Sequence, residues 1–164
     1  MRTFCDKKKL AMPDLVLFDL DNTLYEYETP HLKAYAAVAA KFEGELGLKK
    51  STFHQLYNDA NSYFKKQLEG TAASHSKLLY FVKIMEKAGL QSQPMLALDF
   101  EQTYWRTFMS SANLCSGVME FIDELRIAGI PRALITDLTT QIQYRKLIYF
   151  ELDQSFDQIL NVSK

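Results

Sequence analysis

The apolar run Leu15-Val16-Leu17-Phe18 stops at Asp19-Leu20-Asp21-Asn22-Thr23, where polar residues take over. A short unbroken apolar run bounded by turn residues predicts a strand buried on both faces, as in a parallel sheet. The period then changes. Thr29-Pro30 reads as an N-cap followed by proline at the first helical position. Leu32, Tyr35, Ala36, Ala39 and Phe42 recur at helical spacing, until Gly44 and Gly47 loosen the end. Ser51 caps a second predicted helix, with Leu56, Tyr57, Tyr63 and Phe64 on or near its apolar side and Gly70 as its breaker. A third runs from about Ala73 to Ala88 and stops at Gly89. A fourth follows Pro94 and carries Leu96, Leu98, Phe100, Tyr104, Trp105 and Phe108 before fading at Ser110-Ser111.

Simple strand–helix alternation resumes at Gly117. Val118, Phe121, Ile122 and Leu125 make a helical face with Gly129 as its C′ residue. Pro131 to Asp137 reads as a second buried strand ending in a polar turn, Leu138 to Phe150 as a helix, and Phe156 to Val162 as a third strand. Strand, four helices, helix, strand, helix, strand describes an α/β protein. Its expected core is a parallel sheet, with a helical bundle inserted after the first strand. The expected division is residues 1–26 and 112–164 for the core and 27–111 for the helical cap.

Composition narrows the class. The 164 residues are 48% hydrophobic and 24% charged with a net charge of −1, ordinary for a globular chain. No basic excess points to nucleic acid, and no apolar run is long enough to span a bilayer. Arg2 and Lys7-Lys8-Lys9 are followed by Pro13 and Asp14 rather than an apolar stretch, so the start reads as a solvated arm, not a signal peptide. Cys5 and Cys115 have no metal-ligand spacing, and a cytoplasmic protein with reduced thiols is expected. His31, His54 and His75 likewise lack metal spacing and read as surface or boundary residues.

The chemistry lies where the first strand ends. Alternation along a strand sends Asp19 and Asp21 to the same side, and two neighbouring carboxylates repel unless a cation or shared proton compensates them. Ligands of open α/β sheets bind at the carboxyl ends of strands. Leu17-Phe18-Asp19-Leu20-Asp21-Asn22-Thr23-Leu24 resembles the first motif of the haloacid dehalogenase (HAD) superfamily, most of whose members are magnesium-dependent phosphatases. The resemblance implies a Rossmann-like core with a type 1 helical cap. It makes Asp19 the nucleophile and a metal ligand, and Asp21 the general acid/base, its main-chain carbonyl a further Mg2+ ligand. Thr23 would brace the turn. Ala133-Leu134-Ile135-Thr136-Asp137 is similar to the family's second motif. It assigns Thr136 to binding the transferring phosphoryl group and gives Asp137 a substrate-binding position through its backbone.

The likeness stops there. The third motif is a lysine several residues beyond the third strand, and Lys164 comes too soon after Val162 to fill it comfortably. The fourth, an acidic pair on a later strand, has no counterpart; Asp153 and Asp157 precede the third strand and read as solvated loop residues. A truncated or split enzyme is therefore expected, hydrolysing a small phosphorylated metabolite through an aspartyl-phosphate. The alternative is a catalytically incomplete module that binds phosphate or a protein partner, through its exposed sheet edge or its cap. Dehalogenase chemistry is disfavoured because Asp21 suits an ester leaving group, and a phosphoacceptor receiver domain is disfavoured by the helical insertion. Lys65-Lys66 and Arg106 read as a solvated face, Tyr104, Trp105 and Phe108 as cap core, and Arg145-Lys146 as solvent-facing.

Overall fold

The computed structural model describes residues 12–162; Cys5, Lys7–Lys9 and Lys164 lie outside them. Three strands, β1 (Val16–Phe18), β2 (Arg132–Thr136) and β3 (Gln158–Asn161), form a parallel sheet in the order β1-β2-β3. Phe18 lies opposite Leu134, and Leu134 opposite Ile159. Between β1 and β2 come four helices: α1 (Glu28–Leu46), α2 (Lys50–Gln67), α3 (Lys77–Lys87) and α4 (Pro94–Ser111). Helix α5 (Val118–Ile127) precedes β2, and α6 (Thr140–Tyr149) joins β2 to β3.

The inserted helices pack α1 on α4, α2 on α3 and α3 on α4. Their seam is aromatic. Phe42, Phe53, Phe81, Phe100, Tyr104 and Phe108 are fully buried, and Phe42–Phe53, Phe81–Phe100 and Tyr104–Trp105 meet at centroid separations of 5.0–6.0 Å. Tyr104, Trp105 and Phe108 of α4 are buried, as expected of core residues. In α1 the buried stripe is Ala34, Val38, Ala39 and Phe42, so Leu32 and Ala36 turn outward. The predicted third helix is broken. A 3-10 turn at Ala72–His75 precedes α3, and Ser76 caps α3 by accepting from Leu79 N–H. Thr29 and Ser51 cap nothing, because α1 begins at Glu28 and α2 at Lys50.

Right-handed crossovers that step twice in one direction leave both connecting helices on one side of a sheet. Phe121 of α5 meets Phe18 at 5.9 Å, and Gln143 of α6 bonds Thr136, so α5 and α6 share that face. The opposite face carries Leu17, Ile135, Leu160 and Val162 by register. Leu17 is 58% exposed, Leu160 47% and Val162 55%. The expectation that β1 is buried on both faces is thus corrected: no described element packs on the Leu17 side. Asp157 is an exposed loop residue, as expected, but it is not without partners. Its carboxylate accepts Arg132 N–H at 2.8 Å and lies 3.4 Å from the guanidinium, tying the start of β2 to the turn before β3. Those contacts hold the Asp157 carboxyl below its ordinary value.

Candidate active site

The polypeptide turns immediately after β1. Leu24 N–H donates to the Leu20 carbonyl at 3.0 Å, and Asn22 takes a left-handed conformation with φ 61°. Asparagine tolerates that region better than other non-glycine residues; its side-chain oxygen also accepts Tyr27 N–H at 2.9 Å, fixing the entry to α1. The tight turn aims the two carboxylates into neighbouring hollows.

Asp19 is exposed, and the Thr23 hydroxyl donates to it at 2.7 Å. This is the bracing contact expected of Thr23. Asp19 shares a depression at the sheet's carboxyl edge with Thr136 and Asp137. Asp21 opens instead into a cleft of about 370 Å³ between the sheet and the helices, lined also by Tyr27, His75, Lys77, Trp105 and Asp137. The two hollows adjoin at Asp137, so the structure gathers Asp19, Asp21, Thr136 and Asp137 around the ends of β1 and β2.

The surroundings of Asp21 come from α6. Lys146 Nζ lies 2.5 Å from Asp21 Oδ1, and Gln143 Nε2 donates to Oδ2 at 3.0 Å. The Tyr25 hydroxyl also donates to Oδ1, and Gln143 Nε2 reaches the Thr136 hydroxyl oxygen. Lys146 is fully buried and sits 5.6–5.9 Å from the ring centres of Tyr25, Tyr27, Trp105 and Phe108. Burial lowers its ammonium from the ordinary lysine value and outweighs the opposing pull of Asp21. Burial, then the nearby Asp21 carboxylate, pushes the Tyr25 phenol up, so it remains a donor. The expectation that Arg145-Lys146 faces solvent is corrected for Lys146 alone; Arg145 is exposed. The reason is helical phase: Ile142, Gln143, Lys146 and Leu147 form the buried stripe of α6.

Residues 16–164 match the family model described as haloacid dehalogenase-like hydrolase. The chain belongs to that family. It is 36% identical over 151 residues to a ribulose-1,5-bisphosphate 5-phosphatase from Halopiger xanaduensis, covering 91% of this chain and 63% of the relative. Among solved structures, this HAD-like chain resembles a 2-haloacid dehalogenase from Pseudomonas syringae (TM-score 0.67, 18% identity, 92% of this chain and 64% of that one). It also resembles a magnesium-bound HAD hydrolase from Bacillus subtilis (TM-score 0.54, 19% identity, 88% and 63%). The chain thus spans less than two thirds of the length of these proteins.

Sequence reasoning about this HAD-like chain missed Gln143, Lys146 and Lys77. One signal was present: Gln143 and Lys146 interrupt the apolar side of a helix at i, i+3 spacing, where a polar pair must find buried partners. For magnesium, the Asp19 carboxylate and the Asp21 main-chain carbonyl are hard oxygen donors of the right kind. The Asp21 carboxylate is taken up by Lys146 and Gln143. No group of three or more His, Cys, Asp or Glu able to hold a metal occurs among the described residues.

Proposed function

We propose that this chain carries the nucleophile half of a HAD-type phosphatase site for a small phosphorylated metabolite. The observation that supports it is the placement of Asp19 in one depression with Thr136, beside a second carboxylate held by a buried lysine. The Asp19 carboxylate attacks phosphorus, and the bond from phosphorus to the ester oxygen breaks. The Asp21 carboxylate takes up a proton from solvent as substrate binds and passes it to that oxygen, and the Lys146 ammonium compensates the carboxylate restored by the transfer. Asp21 then takes a proton from the water that splits the aspartyl-phosphate, returning Asp19 and releasing phosphate. Thr136, oriented by Gln143, binds a phosphoryl oxygen, with the Asp137 backbone beside it. Magnesium, when bound, supplies positive charge against the phosphoryl group; Asp19 and the Asp21 carbonyl would hold it, with water in other positions.

In this reading residues 27–111 are a cap over residues 1–26 and 112–164, and the relative's sugar bisphosphate is the first substrate to try. We assign the protein to the cytoplasm, in keeping with the free, exposed thiol of Cys115. No helix of the described residues is long and apolar enough to cross a membrane.

The test is release of phosphate from an aryl phosphate and from ribulose 1,5-bisphosphate with magnesium. Asp19→Asn is expected to lower turnover at least a thousandfold, since no nucleophile remains; undiminished turnover would refute the assignment. The exposed Leu17–Leu160–Val162 face favours a second reading, in which these 164 residues are a catalytically incomplete module that binds phosphate, or a protein partner through that face, without turnover. Ordinary turnover by the 164 residues alone would remove it.

A further inference from the structure

A second buried lysine faces the cleft from the opposite wall. Lys77 is the first residue of α3, is 8% exposed, and lines the hollow into which Asp21 opens. Its ammonium lies 4.9 Å from the ring centre of Tyr80, 5.3 Å from that of Tyr104 and 5.8 Å from that of Tyr57. Unlike Lys146, it has no carboxylate partner among the described residues. Burial first, and then the cationic neighbours Lys65 and Lys146, depress its ammonium to about 8. A buried cation whose charged neighbours are also cations is costly unless an anion joins it.

One further feature lies at the same spot. Of the first-turn N–H groups of α3, that of Leu79 is taken by the Ser76 side chain, while those of Lys77 and Leu78 have no helical acceptor, which favours negative charge there. The carboxylates of the cleft, Asp21 and Asp137, stand on the sheet wall, and Glu101 on α4. The Asp19 depression and the Lys77 cleft meet at Asp137, so a substrate reacting at Asp19 has to extend past Asp137 to reach Lys77.

We propose that Lys77 receives a second phosphate of the substrate, the one distant from the ester that reacts, so that this site selects doubly phosphorylated small molecules over singly phosphorylated ones. The proposal rests on the phosphatase reading for which end of the substrate reacts, but not for the existence of the anion receptor.

The experiment is calorimetric. Ribulose 1,5-bisphosphate and ribulose 5-phosphate are titrated into the Asp19→Asn chain, which prevents turnover, and into the same chain carrying Lys77→Met or Lys77→Arg. The expected result is a preference for the bisphosphate of at least about tenfold, kept by Lys77→Arg and reduced to within about threefold by Lys77→Met. Lys77→Gln gives the same comparison should the methionine variant fail to fold. No preference in the parent, or the same preference after the charge is removed, overturns the proposal. Aryl phosphate hydrolysis by the otherwise native chain separates the two readings. If no ester is turned over while the Lys77-dependent preference is found, the phosphatase reading fails and the receptor stands. Turnover abolished by Asp19→Asn, with a preference indifferent to Lys77, gives the reverse.

Discussion

Lys146→Met asks whether the ion pair beneath the cleft holds the second carboxylate in place. Methionine nearly fills the lysine's volume, and its thioether suits the four aromatic rings around Nζ, so the packing loss is small. What is lost is the counter-charge of Asp21, whose side chain is 20% exposed while that of Lys146 is 0% exposed. Breaking a buried pair from one side costs about 3–5 kcal/mol. The residual exposure of Asp21, and the donors retained from Tyr25 and Gln143, put this case near about 3 kcal/mol. A domain of this size loses about 2–4 °C per kcal/mol, so Tm should fall by about 6–12 °C. The double variant Lys146→Met/Asp21→Asn has neither charge, and its loss should be smaller than the sum of the two single losses by about 2 kcal/mol. Urea and thermal unfolding of the four proteins measure this. Additivity within about 0.5 kcal/mol, or a single-variant loss under about 1 kcal/mol, would refute the account of Asp21 given above.

Other outcomes follow from the same geometry. Lys77→Met should raise stability at neutral pH, because an uncompensated buried charge is removed. The Lys77 ammonium titrates near 8 when folded and at its higher ordinary value when unfolded, so the parent should gain stability from about pH 8 to pH 10, by up to about 3 kcal/mol. Below pH 8 the cost is present in full, and Lys77→Met should flatten the rise; an equal rise in both proteins would contradict the assignment. Asn22→Ala should cost about 1–2 kcal/mol in thermal unfolding for the left-handed backbone, and Asn22→Gly less, because only the bond to Tyr27 is lost. Asp157→Asn should destabilise chiefly above the low pH at which the carboxylate titrates, because its folded value is depressed; acid should erase the difference.

What could be read in advance was what local pattern controls. The run Leu15–Phe18, the apolar stretch before Thr136, and the helical periods between them gave strand and helix identity, because each carries its own period. The carboxylate pair was legible because Asp19 and Asp21 interrupt an apolar strand. Exposure of Leu17 was not legible, since it depends on which side the crossovers take and what else covers the sheet. Lys146 was read as solvent-facing because lysine usually is; only its phase on α6, opposite a carboxylate 125 residues earlier, reverses that. Lys77 was hidden by the break at Ser76, which turned one predicted helix into a 3-10 turn and a new helix start.

The one-sided sheet bears on how this polypeptide behaves in a test tube. With a net charge of only −1 there is little electrostatic repulsion between molecules, and the aliphatic side chains of Leu17, Leu160 and Val162 give them somewhere to stick. Concentrated preparations should scatter light and bind a fluorescent apolar dye, and Leu160→Lys, at a position that lines neither hollow, should reduce both. Purification at low concentration, or alongside whatever naturally shields those leucines, is the practical course.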